Sequence, residues 1–427
     1  MGGEAGPLGG TPGEGEYNFM SGKRLAVFIK PWLSISGSDR WAVDAAMALQ
    51  AAGWDASFWT NSQTRETAFP ETLDGRVRVE VRSAIKEQHK KNAAWFDRLR
   101  VWRVYLRQIG LLRAMKREGI RPQLVICDSV PHVVAYAQRH FPDAAVLVYC
   151  HYPDKLMAPP GGMLYRLYRK SWDRLERRGL ALADYVVVNS KFTAAAVRRV
   201  YPGLARLALP VVYPGVNVPE WVPARTESSV GKLFLTVARI DPLKGLGLSL
   251  TALAALRARV SSEEFAGCRL VLAGGYDDKL PEARALLAEL RRQAADSGLG
   301  ERVEFRLNVS MEDLEALWAE AFALIHPMTG EHFGIVPIEA MAHALPVLAV
   351  NRGGPCETVV DGETGALRPP EAEAFSVVMA EWLRAPAHAI KLGQAGRKRA
   401  QERFGHGRFA AEMSAAAEEA ISRRALR

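Results

Sequence analysis

A chain of 427 residues is too long for one ordinary hydrophobic core, so two domains are expected. With 48% hydrophobic and 24% charged residues it has the composition of a soluble globular protein, not of a low-complexity or fibrous one. The net charge of +9 is uneven: between residues 86 and 118 ten Lys or Arg stand against three Asp or Glu, which suits an anionic partner such as a lipid headgroup, a diphosphate or nucleic acid.

Residues 1–22, rich in Gly, Pro and Glu, lack an apolar run and read as a disordered tail, not a signal peptide. From there short β-rich runs alternate with helical patterns, the signature of βαβ units and parallel sheets. Strand candidates are 25–29, 57–59, 77–81, 124–126, 145–148, 185–188 and 208–212, then 233–237, 270–273, 303–305, 322–325 and 347–350. Helical patterns lie between them, for example over 40–52, 248–260, 281–297 and 311–320. A Pro- and Gly-bearing stretch, 214–232, reads as a linker between an N-terminal domain over 23–213 and a C-terminal domain over 233–390. Residues 391–427 read as an Ala-rich helical segment. No window is long and apolar enough to predict a spanning helix. Cys127, Cys150, Cys268 and Cys356 form no CxxC pair and have no His partner at ligand spacing, which predicts reduced thiols and no zinc site.

Several strand ends carry candidate chemistry. Ser36-Gly37-Ser38-Asp39-Arg40 is a small-residue turn opening a helix, where a phosphate or sugar can approach. His151, in Tyr149-Cys-His-Tyr-Pro-Asp154, follows another strand and suits a hydrogen bond to a sugar hydroxyl. Arg239 and Lys244 follow the strand 233–237 and suit a departing diphosphate; a surface loop with stray charges is the bland alternative. The densest window joins a strand to Glu331-His-Phe333-Gly334-Ile335-Val-Pro-Ile-Glu339, which puts Phe333, Gly334 and Ile335 at a helix start whose free amides suit a diphosphate. Ordinary capping acids are the alternative there. Gly353-Gly354 permits backbone approach to a ligand, and Gly274-Gly-Tyr-Asp277-Asp278 reads as a turn, so no metal is assigned. Trp95, Trp102 and Arg103 belong to an aromatic and arginine-rich run, 95–109, that suits an anionic leaflet; Tyr165, Arg166, Arg169, Lys170 and Trp172 extend it. The alternative is that the aromatics are core. No base-stacking module is recognisable, so nucleic acid is not an expected partner.

Taken together these motifs resemble the GT-B-fold retaining glycosyltransferases of family four. Glu331 and Glu339 match that family's E-x7-E, Arg239 and Lys244 its paired diphosphate cations, and Ser36-Gly37-Ser38 stands at its first-domain glycine loop. The resemblance runs from about residue 24 to 367. Within the family, the segments at 149–154, 188–194, 273–278, 331–341 and 349–355 look like the eukaryotic α-1,3/1,6-mannosyltransferases of the dolichol pathway. The resemblance implies two Rossmann-like, doubly wound α/β domains facing a cleft, with a C-terminal helical segment crossing back to the first. It also implies GDP-mannose as donor, a dolichol-diphosphate-linked Man-GlcNAc2 acceptor, peripheral attachment at the cytosolic face of the endoplasmic reticulum, and transferases of the same pathway as possible partners. Glu331 then holds the donor sugar, Glu339 the ribose, Gly37 and Ser38 part of the donor, and Arg40 and Asp154 the acceptor side, without a metal or other cofactor. The alternatives are a relative using a UDP-sugar and a soluble acceptor, or a nucleotide-sugar-binding protein without turnover. Two departures stand out: Ser36 and Asp39 replace a Gly and a Glu of the usual loop, and the extra hydrophobic helices of the branch have no counterpart here.

Overall fold

The structure is a computed structural model that describes residues 23–34, 36–65, 68–82, 100–128, 131–158, 160–226 and 231–427. The expected tail 1–22, Trp95 and the other residues of 83–99 lie outside the described residues. The chain forms two compact units: Met1–Gly215 together with Phe409–Arg427, and Val216–Arg408.

The first unit is built on a parallel sheet of β1 (Arg24–Lys30), β2 (Trp54–Thr60), β3 (Arg78–Val81), β4 (Leu124–Cys127), β5 (Ala145–Cys150) and β6 (Tyr185–Val188), in the order β3-β2-β1-β4-β5-β6. Its central strands are apolar on both faces, as in the fully buried run Leu-Val-Ile-Cys of β4, because helices cover the sheet on either side. One face packs under the Arg100–Arg117 helix. The other packs under the Gly37–Ala51 helix and under Phe409, Met413, Ala416, Ala417 and Ala420 of the His406–Ala425 helix.

The second unit repeats the plan with β7 (Leu233–Val237), β8 (Arg269–Gly274), β9 (Val303–Leu307), β10 (Ala323–His326), β11 (Val347–Val350) and β12 (Gly365–Arg368), in the order β12-β11-β10-β7-β8-β9. In both sheets the winding direction reverses beside the first strand, between β1 and β4 and between β7 and β10. Such a reversal opens a crevice at the strands' carboxyl ends, where doubly wound proteins bind ligands.

Two strand assignments change. Residues 208–212 form no strand; Val211 makes a single bridge to Val188. Pro210, which lacks an N–H, and Pro214 stop a ladder from extending there. Conversely, β12 pairs in parallel with β11 over four residues, too short and too polar at Arg368 to stand out as a strand. The helical segment after 390 also divides: Pro386–Arg399 belongs to the second unit, and only Phe409–Arg427 joins the first. Among the described residues no helix is long and apolar enough to cross a membrane.

Candidate functional site

In the second unit the loops after β7 and β10 meet. Asp241 accepts a hydrogen bond from the Leu243 amide at 2.9 Å, which folds Pro242–Lys244 into a single tight turn. Gly245 then adopts φ 65°, and a side chain there would press on the Pro327 carbonyl at 3.0 Å. That approach carries the Lys244 ammonium to 3.2 Å from Met328 Sδ and 3.7 Å from Glu331 Oε2. His326, the last residue of β10, is buried with its Nε2 3.7 Å from the same oxygen, and this nitrogen has no hydrogen-bond partner. Burial pushes the His326 imidazole down to about 4, so it is neutral at physiological pH. Glu331 Oε2 therefore lies between an ammonium and a neutral ring, while Oε1 accepts the His332 amide at 3.2 Å.

Phe333 is buried and meets Phe404 edge-on at 6.1 Å. Gly334, at φ 89°, turns the chain into the Ile335–Ala342 helix. The amides of its first turn have no partner within the helix, and the dipole adds partial positive charge. Pro337 fits this turn because its missing N–H is not required there. Glu339 lies one turn on; burial, with Glu315 adding repulsion, raises its carboxyl to about 7.

Gly353 and Gly354 do not serve the role expected of them. A side chain at Gly353, where φ is 69°, would collide with the Glu331 carbonyl, and the Gly354 N–H donates to that carbonyl at 2.8 Å. The glycines admit the protein's own Glu331 backbone instead of a ligand. Arg239 stands away from the pair that Lys244 and Glu331 form: its side chain is largely exposed and 3.4 Å from Asp241 of its own loop.

In the first unit Ser36 caps the Gly37–Ala51 helix, accepting the Asp39 amide at 3.2 Å and lying 3.2 Å from the Ser38 hydroxyl. Space beside Gly37 is open. The Asp39 side chain turns inward, paired with Lys30 and accepting the Ser34 amide at 3.0 Å. Arg40 pairs with Asp44 and Glu71 over the Phe69 ring, so its guanidinium is engaged within the unit. Asp154 likewise accepts from Arg169 at 2.7 Å and from the Trp172 indole at 2.9 Å. His151 follows β5, its Nε2 3.8 Å from Asp128.

The aromatic run divides as well. Trp102 meets Tyr105 and Trp172 edge-on, each at 5.6 Å, and Trp172 is core. Arg169 is buried against Asp154 and Asp173, so it is no surface cation. Arg103, Arg166 and Lys170 are exposed. A group of exposed apolar side chains lies instead at the start of the Met163–Leu182 helix, where Met163, Leu164 and Leu167 are 79%, 83% and 62% exposed. Leu156 and Met157 just before it are exposed too.

Three residues at these strand ends had no place in the sequence reading: Lys30, Asp128 and His326. Their one local signal is a polar residue closing an apolar strand, as in Leu-Ala-Val-Phe-Ile-Lys30, Leu-Val-Ile-Cys-Asp128 and Ala-Leu-Ile-His326.

Residues 35–219 match the model of "Glycosyltransferase Family 4", and residues 218–399 that of "Glycosyl transferases group 1". The chain is 32% identical to the human alpha-1,3/1,6-mannosyltransferase ALG2 over 92% of its own length and 95% of the human protein. It is 32% identical to the alg2 protein of Schizosaccharomyces pombe, covering 88% of this chain and 77% of that one. Among solved structures it resembles a sucrose-phosphate synthase from Thermosynechococcus elongatus, with a TM-score of 0.71 at 23% identity, covering 92% of this chain and 98% of that one. Anabaena HepE in complex with UDP superposes with a TM-score of 0.69 at 19% identity over the same shares. These two likenesses establish the shared two-domain glycosyltransferase fold.

Proposed function

Since this chain belongs to the family-four glycosyltransferases, in the branch of the α-1,3/1,6-mannosyltransferases, we propose that it moves mannose from GDP-mannose, with retention, to a dolichol-diphosphate-linked Man-GlcNAc2 acceptor, first α-1,3 and then α-1,6. The single observation that carries this reading is the meeting of Lys244 and Glu331 beside a helix N-terminus at the β7–β10 switch point.

The chemical difficulty is negative charge growing on the departing diphosphate while the sugar gains oxocarbenium character. Lys244 and the amides near Phe333–Ile335 form fixed positive potential for that leaving group, so the reaction needs no metal for it. Arg239, on its solvent-exposed arm, is the second cation assigned to the diphosphate. Glu331 holds the sugar hydroxyls, Glu339 the ribose, and His151 a sugar hydroxyl. The leaving phosphate takes the acceptor proton, so no separate base is assigned. Incubating the chain with GDP-mannose and the lipid-linked acceptor should add hexose detectable by mass. Turnover with UDP-sugars alone, or donor binding with no Glu331-dependent turnover, would overturn the reading in favour of another sugar donor or of a binding protein.

Glu339 gives donor binding a pH dependence. A ribose hydroxyl donates best to the ionised carboxylate, and the free protein holds this group protonated up to about 7. Affinity for GDP is therefore expected to rise as pH climbs through that value and to level off above it. Titration calorimetry across this range checks the slope, which Glu339→Gln should flatten.

The membrane contact proposed with this function, at the cytosolic face of the endoplasmic reticulum, is best served by Met163, Leu164 and Leu167 with Arg166 and Lys170 alongside. Burying a leucine stabilises by about 1.5–3 kcal/mol. Changing Leu164 and Leu167 together to Ser should lower binding to anionic vesicles at least about tenfold in flotation assays. Unchanged binding would place the contact elsewhere.

A further inference from the structure

The carboxyl ends of β1, β4 and β5 bring together a buried ladder of charge. Lys30 is 2% exposed and bonds Asp128 at 2.6 Å on one side and Asp39 on the other. Asp39 is anchored in turn by the Ser34 amide at 3.0 Å and the Ser34 hydroxyl at 3.3 Å. The Asp128 oxygen that accepts from Lys30, Oδ2, also faces His151 Nε2 at 3.8 Å.

Little freedom is left to the His151 ring. Trp41 meets it edge-on at 5.4 Å and Tyr149 at 4.8 Å, while the Thr193 hydroxyl donates to the His151 carbonyl at 3.1 Å. Its Nε2 is buried with no hydrogen-bond partner, yet the side chain as a whole keeps 24% of its surface open. A bare nitrogen lone pair aimed at a carboxylate is repulsive, and an N–H aimed at it is attractive. With the ring fixed in place, the location of its proton is the remaining variable.

We propose that Asp128 is a positioning residue for His151: locked by Lys30, its carboxylate holds the imidazole as the Nε2–H tautomer and leaves the Nδ1 lone pair to accept a hydrogen bond from a sugar hydroxyl. The inference rests on the proposed contact between His151 and a sugar hydroxyl, and it assigns that contact a direction, from hydroxyl to ring. It also gives Asp39 a task. The residue that departs from the usual loop pattern faces inward to hold Lys30, and so ties the loop before the Gly37–Ala51 helix to the orientation of His151.

The test is nitrogen-15 NMR of the labelled full chain, with the His151 resonances identified by their loss in His151→Gln. A neutral ring protonated at Nε2 is expected, shifting to a mixture of tautomers or to Nδ1–H in Asp128→Asn. Transfer from GDP-mannose should fall roughly 10–100-fold in Asp128→Asn, by analogy with metal-bound histidines that lose an orienting partner. Added to His151→Ala, the same change should cost no more than about twofold further, because both act through one contact. A wild-type ring protonated at Nδ1, alone or together with Nε2, overturns the proposal, as do losses that multiply in the double variant. If Asp128→Asn fails to fold, the wild-type resonance still decides. Undiminished turnover in His151→Ala would instead remove the sugar contact itself, whatever the tautomer, so the two failures are separable.

Discussion

Replacing Lys244 by Ala is expected to lower kcat by roughly 10²–10³-fold, the loss seen when one preorganised contact to a developing oxyanion is removed. The turn that carries Lys244 is fixed at both ends, by the Asp241 side chain and by the left-handed Gly245, so the ammonium is in place before the reaction begins. Its attraction to the diphosphate grows as the glycosidic bond breaks, so the loss should fall mainly on kcat and less on KM. Arg is not an equivalent replacement. Its planar fork is bulkier than an ammonium, and the space is bounded by Met328, His326 and Glu331. Steady-state kinetics with GDP-mannose and acceptor, on protein whose circular dichroism matches wild type, read the effect. A rate within twofold of wild type would remove Lys244 from the mechanism.

The second large effect is on stability. Lys30→Met is expected to cost about 3–5 kcal/mol at neutral pH, because it strands Asp39 and Asp128 in the interior without their shared cation. In the wild type, burial pushes the Asp128 carboxyl up, but the Lys30 ammonium and His151 together outweigh it and hold the group below the ordinary carboxylate range. A depressed carboxylate contributes stability above its unfolded pKa and loses it as pH falls through the folded one. In Lys30→Met the ammonium no longer offsets the burial of Asp128, so this carboxyl rises and the variant gains stability as it takes up a proton. The deficit should therefore shrink between pH 7 and pH 5 in urea unfolding. A deficit independent of pH would mean that the side chain acts by packing alone.

The second effect concerns residues that lie far apart along the chain, and this marks where the sequence stopped being informative. Strands such as β4 and β11 announce themselves as uninterrupted apolar runs, because a parallel sheet covered on both faces leaves no polar side to show. The E-x7-E spacing and the loop cations were legible because each motif is contiguous. Lys30 and Asp128 are 98 positions apart and belong together only because β1 and β4 pair in the sheet. Asp154 and Arg40 were open candidates for an acceptor until the fold supplied each with internal partners, Arg169 and Trp172 for one, Asp44 and Glu71 for the other. Local pattern reports what a residue is able to do; pairing across the sheet decides which of those capacities remain available to a ligand.

The two units also differ in how they are encoded. Val216–Arg408 is a single uninterrupted stretch, whereas the first unit draws Phe409, Met413, Ala416 and Ala420 from the far end of the chain into the same apolar layer as Phe28 and Trp41. During synthesis the later-encoded unit thus has all its parts while the earlier one still exposes part of a sheet face. Domains generally fold as units as they emerge, so here the N-terminal half is completed last, and a polypeptide stopped before Phe409 would hold one finished domain and one unsealed one.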